Sequence, residues 1–189
     1  MMLDRSEEEG EGARPLGMGA VSHSGRVSML AIAERLDILC VNNARNLMNI
    51  RELTISDYDP MVEIWRQAGL PYRPLGRDAC ERFCLEIQED TAVFLGAEVD
   101  GELVGVVLGT HDGRKGWINR LAVLPAFRGR GFARALVLEV ERRLNDRGIL
   151  IVTCLIEADN GPSETLFQSL GYLGHGDITY YSKRQSQDW

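Results

Sequence analysis

The sequence predicts an α+β domain, and three observations carry that reading. Val93, Leu95, Ala97 and Val99 alternate with polar or small residues, Asp100-Gly101 follows, and Val104, Val106 and Leu108 alternate again, which is the pattern of a β-hairpin. Amphipathic helical stripes flank this hairpin on both sides in the chain. After the second of these, Ile149 to Ile156 is a near-continuous apolar run, as expected of a strand buried on both faces and reached by a parallel crossover. With 189 residues, 44% of them hydrophobic and 26% charged, the chain is long enough for one sizeable core.

Taken in order, a short strand is expected at Asn49 to Leu53. A helix follows with Met61, Ile64, Trp65 and Ala68 on one face, opened by Pro60 and closed by Gly69 and Pro71. Asp78 and Glu81 have the spacing of a capping box for a second helix, whose stripe is Cys80, Phe83, Cys84 and Ile87. Leu70 to Arg77 joins the two helices as a loop. The hairpin comes next, then a turn at Asp112-Gly113 and a third antiparallel strand from Trp117 to Val123. A helix from about Gly131 to Asn145 turns Ala133, Leu136, Val137, Val140 and Leu144 inward, and Gly148 ends it. Beyond the apolar strand, Asn160 and Pro162 start a fourth helix, Gly171 closes it, and short strands are expected around Tyr172 and from Ile178 to Tyr181.

Residues 1–47 read as a largely disordered extension preceding a domain at 48–189. Residues 1–26 carry too little apolar periodicity to bury anything, and 27–41 contain a candidate helix on Met29, Leu30, Ala33, Leu36, Ile38 and Leu39. The net charge of -7 and the pI near 5.1 give no footprint for a nucleic-acid or membrane partner, so any phosphate site must be local. No apolar stretch approaches the roughly 18 residues of a membrane-spanning helix, and Glu7, Glu8 and Glu9 stand where a signal peptide would be basic; a cytoplasmic protein is expected. Cys40, Cys80, Cys84 and Cys154 follow no zinc spacing, and His23, His111 and His175 lie apart from them, so no metal is expected. Cys80 and Cys84 read as small buried hydrophobes on one helix face.

The segment that carries chemistry joins the third meander strand to a helix: Leu121, Ala122, Val123, then Pro125, then Arg128-Gly129-Arg130-Gly131-Phe132-Ala133-Arg134. The first turn of a helix has unpartnered N–H groups at the positive end of the dipole, glycines let a diphosphate approach the main chain, and Arg128 and Arg130 add cationic donors. A P-loop is excluded because no Lys-Ser or Lys-Thr follows the glycines. A dinucleotide fold fits poorly, since Arg134 stands where the third Gly or Ala belongs and an antiparallel meander precedes the turn. By itself the turn reads equally well as a tight structural turn.

A resemblance decides between these. Arg128-x-x-Gly131-x-Ala133, placed after Leu121-Ala122-Val123-x-Pro125, resembles the Arg/Gln-x-x-Gly-x-Gly/Ala motif of GNAT acyltransferases. Asn160, with a helix ending Leu166-Phe167-Gln168-Ser169-Leu170-Gly171-Tyr172, resembles the later motif of that family, and the correspondence runs from about Met48 to Arg184. The resemblance implies a mixed sheet splayed between its fourth and fifth strands and flanked by helices. It implies that Leu121, Ala122 and Val123 hold the pantetheine arm of acetyl-CoA. The amides of Gly129, Arg130, Gly131, Phe132, Ala133 and Arg134 would then bind the pyrophosphate, and Asn160 would bond the pantetheine. An N-cap role for Asn160 is compatible with this.

It further implies direct attack of a neutral amine on the thioester, aided by a base, by an N–H donor at Val123 or a neighbour, and by an acid for the departing thiolate. Here the chain departs from the family, because Phe167 stands where many relatives have a tyrosine acid. A packing role beside the thioester is expected for Phe167, with Phe167→Tyr raising turnover if the ring faces the sulfur. Tyr172 falls at a structural aromatic position. Trp117 and Leu155 occupy strand positions where some relatives place a glutamate. Glu98, His111, Asp112 and Glu157 are the remaining base candidates, each better explained as a surface or turn residue than as a catalytic one. Tyr72, Arg73 and Arg77 lie on the loop that borders the acceptor in relatives and are candidates to meet an anionic group on the substrate; an exposed charged loop explains them equally well.

The activity so implied is N-acetyl transfer from acetyl-CoA to a primary amine on a small molecule or peptide, with a homodimer left open. An acyl-CoA-binding sensor is the alternative, and a nucleotide-dependent oxidoreductase the third.

Overall fold

The computed structural model describes residues 48–186. Its elements are β1 (Asn49–Glu52), a 3-10 turn (Ile55–Asp57), α1 (Tyr58–Ala68), α2 (Cys80–Glu86), β2 (Ala92–Val99), β3 (Glu102–His111), β4 (Gly116–Val123), a second 3-10 turn (Pro125–Phe127), α3 (Phe132–Asp146), β5 (Val152–Cys154) and α4 (Gly161–Ser169). The candidate helix at 27–41, the reading of residues 1–26, and Cys40 and His23 with them, lie outside the described residues.

The five strands form one sheet in the order β1-β2-β3-β4-β5. The first three pairings are antiparallel and β4–β5 is parallel, joined across α3, as the single crossover requires. Asp100 (φ 53) and Gly101 (φ 83) make the β2–β3 turn, the doubly left-handed geometry that Asp-Gly favours.

Alternation along β2 splits the core into two layers. Val93, Leu95, Ala97 and Val99 face Leu136, Val137, Val140 and Leu144 of α3, while Phe94 faces Met61, Ile64 and Trp65 of α1 and Phe83 of α2. A side chain at Gly109 of β3 would stand 2.7 Å from Val140 Cγ1 and 3.0 Å from the Val93 carbonyl oxygen, so glycine there lets α3 lie close on the sheet. The start of α1 is tied to the sheet by Arg51, which makes ion pairs of 2.7 Å with both Asp57 and Glu98. Asp57 also accepts the Thr54 amide and hydroxyl, and these contacts, that of Arg51 foremost, hold its carboxyl at about 2, against an ordinary 3.8.

Four sequence expectations are corrected. Asp78 does not cap α2: Ala79 is the N-cap, and the Asp78 carboxylate turns instead to Arg73 and Arg120. The strand expected from Ile149 to Ile156 is reduced to Val152–Cys154, because β4 begins at Gly116, opposite Val152, and leaves β5 after Ile118. The strands expected at Tyr172 and from Ile178 to Tyr181 are absent among the described residues; a strand exists by pairing, and Ile178, Tyr180 and Tyr181 are exposed. Cys80 and Cys84 share a helix face with their sulfurs 3.8 Å apart, half-buried rather than fully buried.

Candidate active site

The site grows from a bulge in β4. Asn119 pairs with Leu108 and Ala122 with Val106, so Arg120 and Leu121 together oppose Val107 alone. Arg120 takes the left-handed conformation, φ 53, that absorbs the extra residue. The bulge reverses the alternation: Ile118 faces the α3 layer, but beyond Arg120 it is Leu121 and Val123 that do so, with Ala122 turned to the α1 layer. It also ends the pairing with β5, which runs only from Gly116–Val152 to Ile118–Cys154. Residues 119–123 therefore have β3 on one side and a gap on the other. Leu121, Ala122 and Val123, the residues expected to hold a pantetheine arm, border that gap.

β4 runs through the turn Pro125–Phe127 into α3. Gly129 (φ 73) and Gly131 (φ 88) are both left-handed, and a side chain at either would meet nothing within 4 Å. The backbone there is open to approach. The first helical bond runs from the Ala135 amide to the Gly131 carbonyl, so the amides of Phe132, Ala133 and Arg134 form the unpaired first turn of a helix of 15 residues. Phe132 is buried and packs edge-on against Phe127 at 5.8 Å, which fixes the turn in the core. These residues fit a diphosphate: open glycines, oriented amides and the positive end of a helix dipole.

The arginines of the turn divide their tasks. Arg128 donates to the Val123 carbonyl (3.3 Å) and the Ala68 carbonyl (3.1 Å), joining the end of β4 to the C-terminus of α1. Arg130 lies 5.3 Å over the Phe127 ring, and Arg134 donates to Ser169 Oγ (3.3 Å), linking α3 to α4. Asn160 is the N-cap of α4, its Oδ1 accepting from the Ser163 amide at 3.3 Å.

Phe167 is 5% exposed and packs edge-on against Tyr172, ring centroids 4.9 Å apart, inside the α3 layer of the core. Tyr172 donates to Glu141 Oε1 at 2.6 Å. Burial, and then that bond, raise its phenol well above the ordinary range, so it is a poor acid.

The base candidates do not converge. His111 pairs with Gly116, at the far end of β4; eight residues at about 3.3 Å per step put it roughly 23 Å from Val123. Asp112 accepts the Arg114 and Lys115 amides within its turn, and Glu98 is held by Arg51. Glu157, exposed, lies just beyond β5, on the side where the strands part.

Tyr72, Arg73 and Arg77 are brought to the bulge by Arg120, which sequence reasoning did not single out, and by Asp78, which it read only as a helix cap. Arg120 donates to the Pro71 carbonyl and pairs with Asp78, both ends of their loop. The signal was present in the sequence: Asn119-Arg120, two successive polar residues, interrupt the alternation of an otherwise buried strand.

The model of the family described as "Acetyltransferase (GNAT) family" matches residues 50–172, which span the sheet, the turn and α4. The chain belongs to the acetyltransferase (GNAT) family. As a member of it, the chain is an acyltransferase. Solved structures share the GNAT fold at low identity. Aminoglycoside N-acetyltransferase AAC(6')-Iy, in complex with a bisubstrate analogue of CoA and acetylneamine, superposes with a TM-score of 0.63 at 22% identity, over 73% of this chain and 99% of that one. PaiA N-acetyltransferase from Thermoplasma acidophilum, in complex with coenzyme A, gives 0.60 at 21% identity, over 66% and 88%. A ribosomal-protein alanine N-acetyltransferase from Escherichia coli gives 0.58 at 20%, over 66% and 77%. Among the described residues of this GNAT domain, no group of three His, Cys, Asp or Glu stands together as a metal site, and no helix is long and apolar enough to cross a membrane.

Proposed function

We propose that this chain transfers an acetyl group from acetyl-CoA to a primary amine by direct attack within a ternary complex. The observation that carries this reading is the continuity of the free edge of β4 with the turn at Gly129 and Gly131, where two left-handed glycines with open space above them lead to the unpaired amides of α3. Leu121, Ala122 and Val123 would border the pantetheine, the amides from Gly129 to Arg134 would take the pyrophosphate, and Asn160 would bond the pantetheine across the gap. Acetyl-CoA supplies the thioester. In the balanced reaction the amine nitrogen forms the new C–N bond, the C–S bond breaks, the sulfur leaves with its electron pair, and the amine's proton passes to solvent or to the thiolate. The oxyanion donor would be the Val123 amide or a neighbour. A CoA thiol has an ordinary pKa near 8.5, so the thiolate is a tolerable leaving group without a dedicated acid.

The acceptor side is the loop holding Tyr72, Arg73 and Arg77. The exposed guanidinium groups of Arg73 and Arg77 suit an amine that also carries a carboxylate or other anion, whereas the structurally similar enzymes are named for aminoglycosides. Residues 1–47 would be an extension outside the transferase domain, and the cytoplasm would be the site of action. A screen of acetyl-CoA thioester consumption across amine classes tests the reading: turnover with at least one class is expected, and acetyl-CoA binding without turnover across all of them would move the assignment to a sensor. That second reading has one observation in its favour, the burial of Phe167 where the family motif has a tyrosine acid.

A further inference from the structure

We propose that Arg120 is a positioning residue for the amine acceptor, acting through its buried ion pair with Asp78. The inference rests on the transferase reading above and concerns the side of the gap opposite the α3 layer. Leu121, Val123, Phe132 and Phe167 fill that layer, so the second substrate must reach the gap from the α1 side. What stands there is the loop from Pro71 to Asp78, and its position is set by Arg120.

The bulge makes this contact. By turning Arg120 into the left-handed region it sends the side chain toward α1, where the guanidinium lies 4.8 Å over the Trp65 ring. From there it donates to the Pro71 carbonyl and pairs with the Asp78 carboxylate. The two side chains are 13% and 5% exposed, so solvent screens the pair little. The remaining Asp78 oxygen accepts the Arg73 amide at 2.8 Å and has Arg77 Nε at 3.8 Å. The Asp78 carbonyl accepts from Tyr58 at 2.7 Å, and the Tyr58 and Tyr72 hydroxyls meet at 3.0 Å. One arginine thus holds the first and last residues of the loop, and the Asp78 it fixes orients the amide of Arg73. The residue that bends β4 away from β5, opening the gap, is the same one that anchors the loop beside it. Acceptor geometry and donor geometry are set from a single backbone position, which is how reacting groups are held within the few tenths of an ångström that proximity catalysis needs.

Three variants test this: Asp78→Asn, Arg120→Lys, and the double variant Arg120→Met/Asp78→Leu, which removes both charges while keeping buried volume. Each is assayed with acetyl-CoA and an amine the wild type accepts. The expected result is an acetyl-CoA Kd within about twofold of wild type and an amine KM raised about tenfold or more, least in the conservative Arg120→Lys. In hydrogen exchange without substrate, the amides of residues 72–78 should exchange about tenfold faster in the double variant, with the amides of α3 unchanged. Folded variants whose amine KM equals that of wild type overturn the proposal, as does an equal weakening of acetyl-CoA, which would make the pair a general support of the fold. If the wild type acylates no amine, the transferase reading itself falls and this role with it; a wild type that turns over beside unaffected variants removes the role alone.

Discussion

Replacing Gly131 by valine separates the ligand site from the turn that forms it. The residue sits at φ 88 with open space where a side chain would go, so the substitution meets no packing clash and its effects come from two sources. The first is backbone strain, roughly 1–2 kcal/mol for an L-residue held left-handed, or a fall in Tm of roughly 2–8 °C for a domain of this size. The second is the branched side chain standing where the phosphates must approach. If two charge-assisted amide bonds are lost at roughly 1.5–3 kcal/mol each, the Kd for acetyl-CoA rises by about two to four orders of magnitude. Gly148→Val isolates the first effect, since Gly148 has φ 79, equally open space, and lies past the opposite end of α3. Calorimetric melting with and without acetyl-CoA at about 100 times its Kd should show a stabilisation of about 2.7 kcal/mol, roughly 5–10 °C, in wild type and in Gly148→Val. Gly131→Val should melt like Gly148→Val without ligand and show no shift with it. A folded Gly131→Val protein with the full ligand shift would falsify the assignment of the turn.

Phe167→Ala should cost roughly 3–5 kcal/mol in urea unfolding, because the ring is buried against Tyr172. Phe167→Tyr should leave acetyl-CoA affinity unchanged and, since the ring points into the core, should not raise the turnover number; a rise would mean that the new hydroxyl reaches the sulfur. The Asp57 carboxyl, held at about 2 against an ordinary 3.8, contributes stability that is complete above about pH 4 and is lost as the pH falls toward about 2. The gap in unfolding free energy between wild type and Asp57→Asn should therefore close over that window, and a constant gap would contradict it. Arg51→Ala, which leaves that carboxylate only its two bonds from Thr54, should cost about 1–3 kcal/mol at neutral pH by the same measurement. A chain beginning at Met48 should stay monodisperse and bind acetyl-CoA as tightly as the full chain, checked by light scattering and titration calorimetry; aggregation would show that residues 1–47 cover apolar surface.

What the sequence by itself determined was local. Asp100-Gly101 demands a doubly left-handed turn, the stripe of Met61, Ile64 and Trp65 demands a buried helix face, and two left-handed glycines ahead of an amphipathic helix make an amide cradle wherever they occur. Each depends on the conformational preferences of a few neighbouring residues, and so the strand-to-helix turn at Gly129 and Gly131 was legible as a turn down to single positions. The structure decided what depends on pairing over long separations. β5 shrank to three residues because a bulge in β4, one crossover helix earlier in the chain, turned the two strands apart, and the C-terminal segments patterned as strands form no pairing among the described residues, although β5 ends the sheet. Asp78 has the spacing of a helix cap, yet an arginine 42 residues further on takes its carboxylate, because leaving that buried guanidinium without a counter-charge would cost more than the loss of one exposed capping bond. Phe167 falls within the later motif, but that its ring is buried against Tyr172 follows from packing that the motif does not show. Short-range periodicity reports which face of an element is apolar; which distant residue finally meets that face is a property of the folded chain.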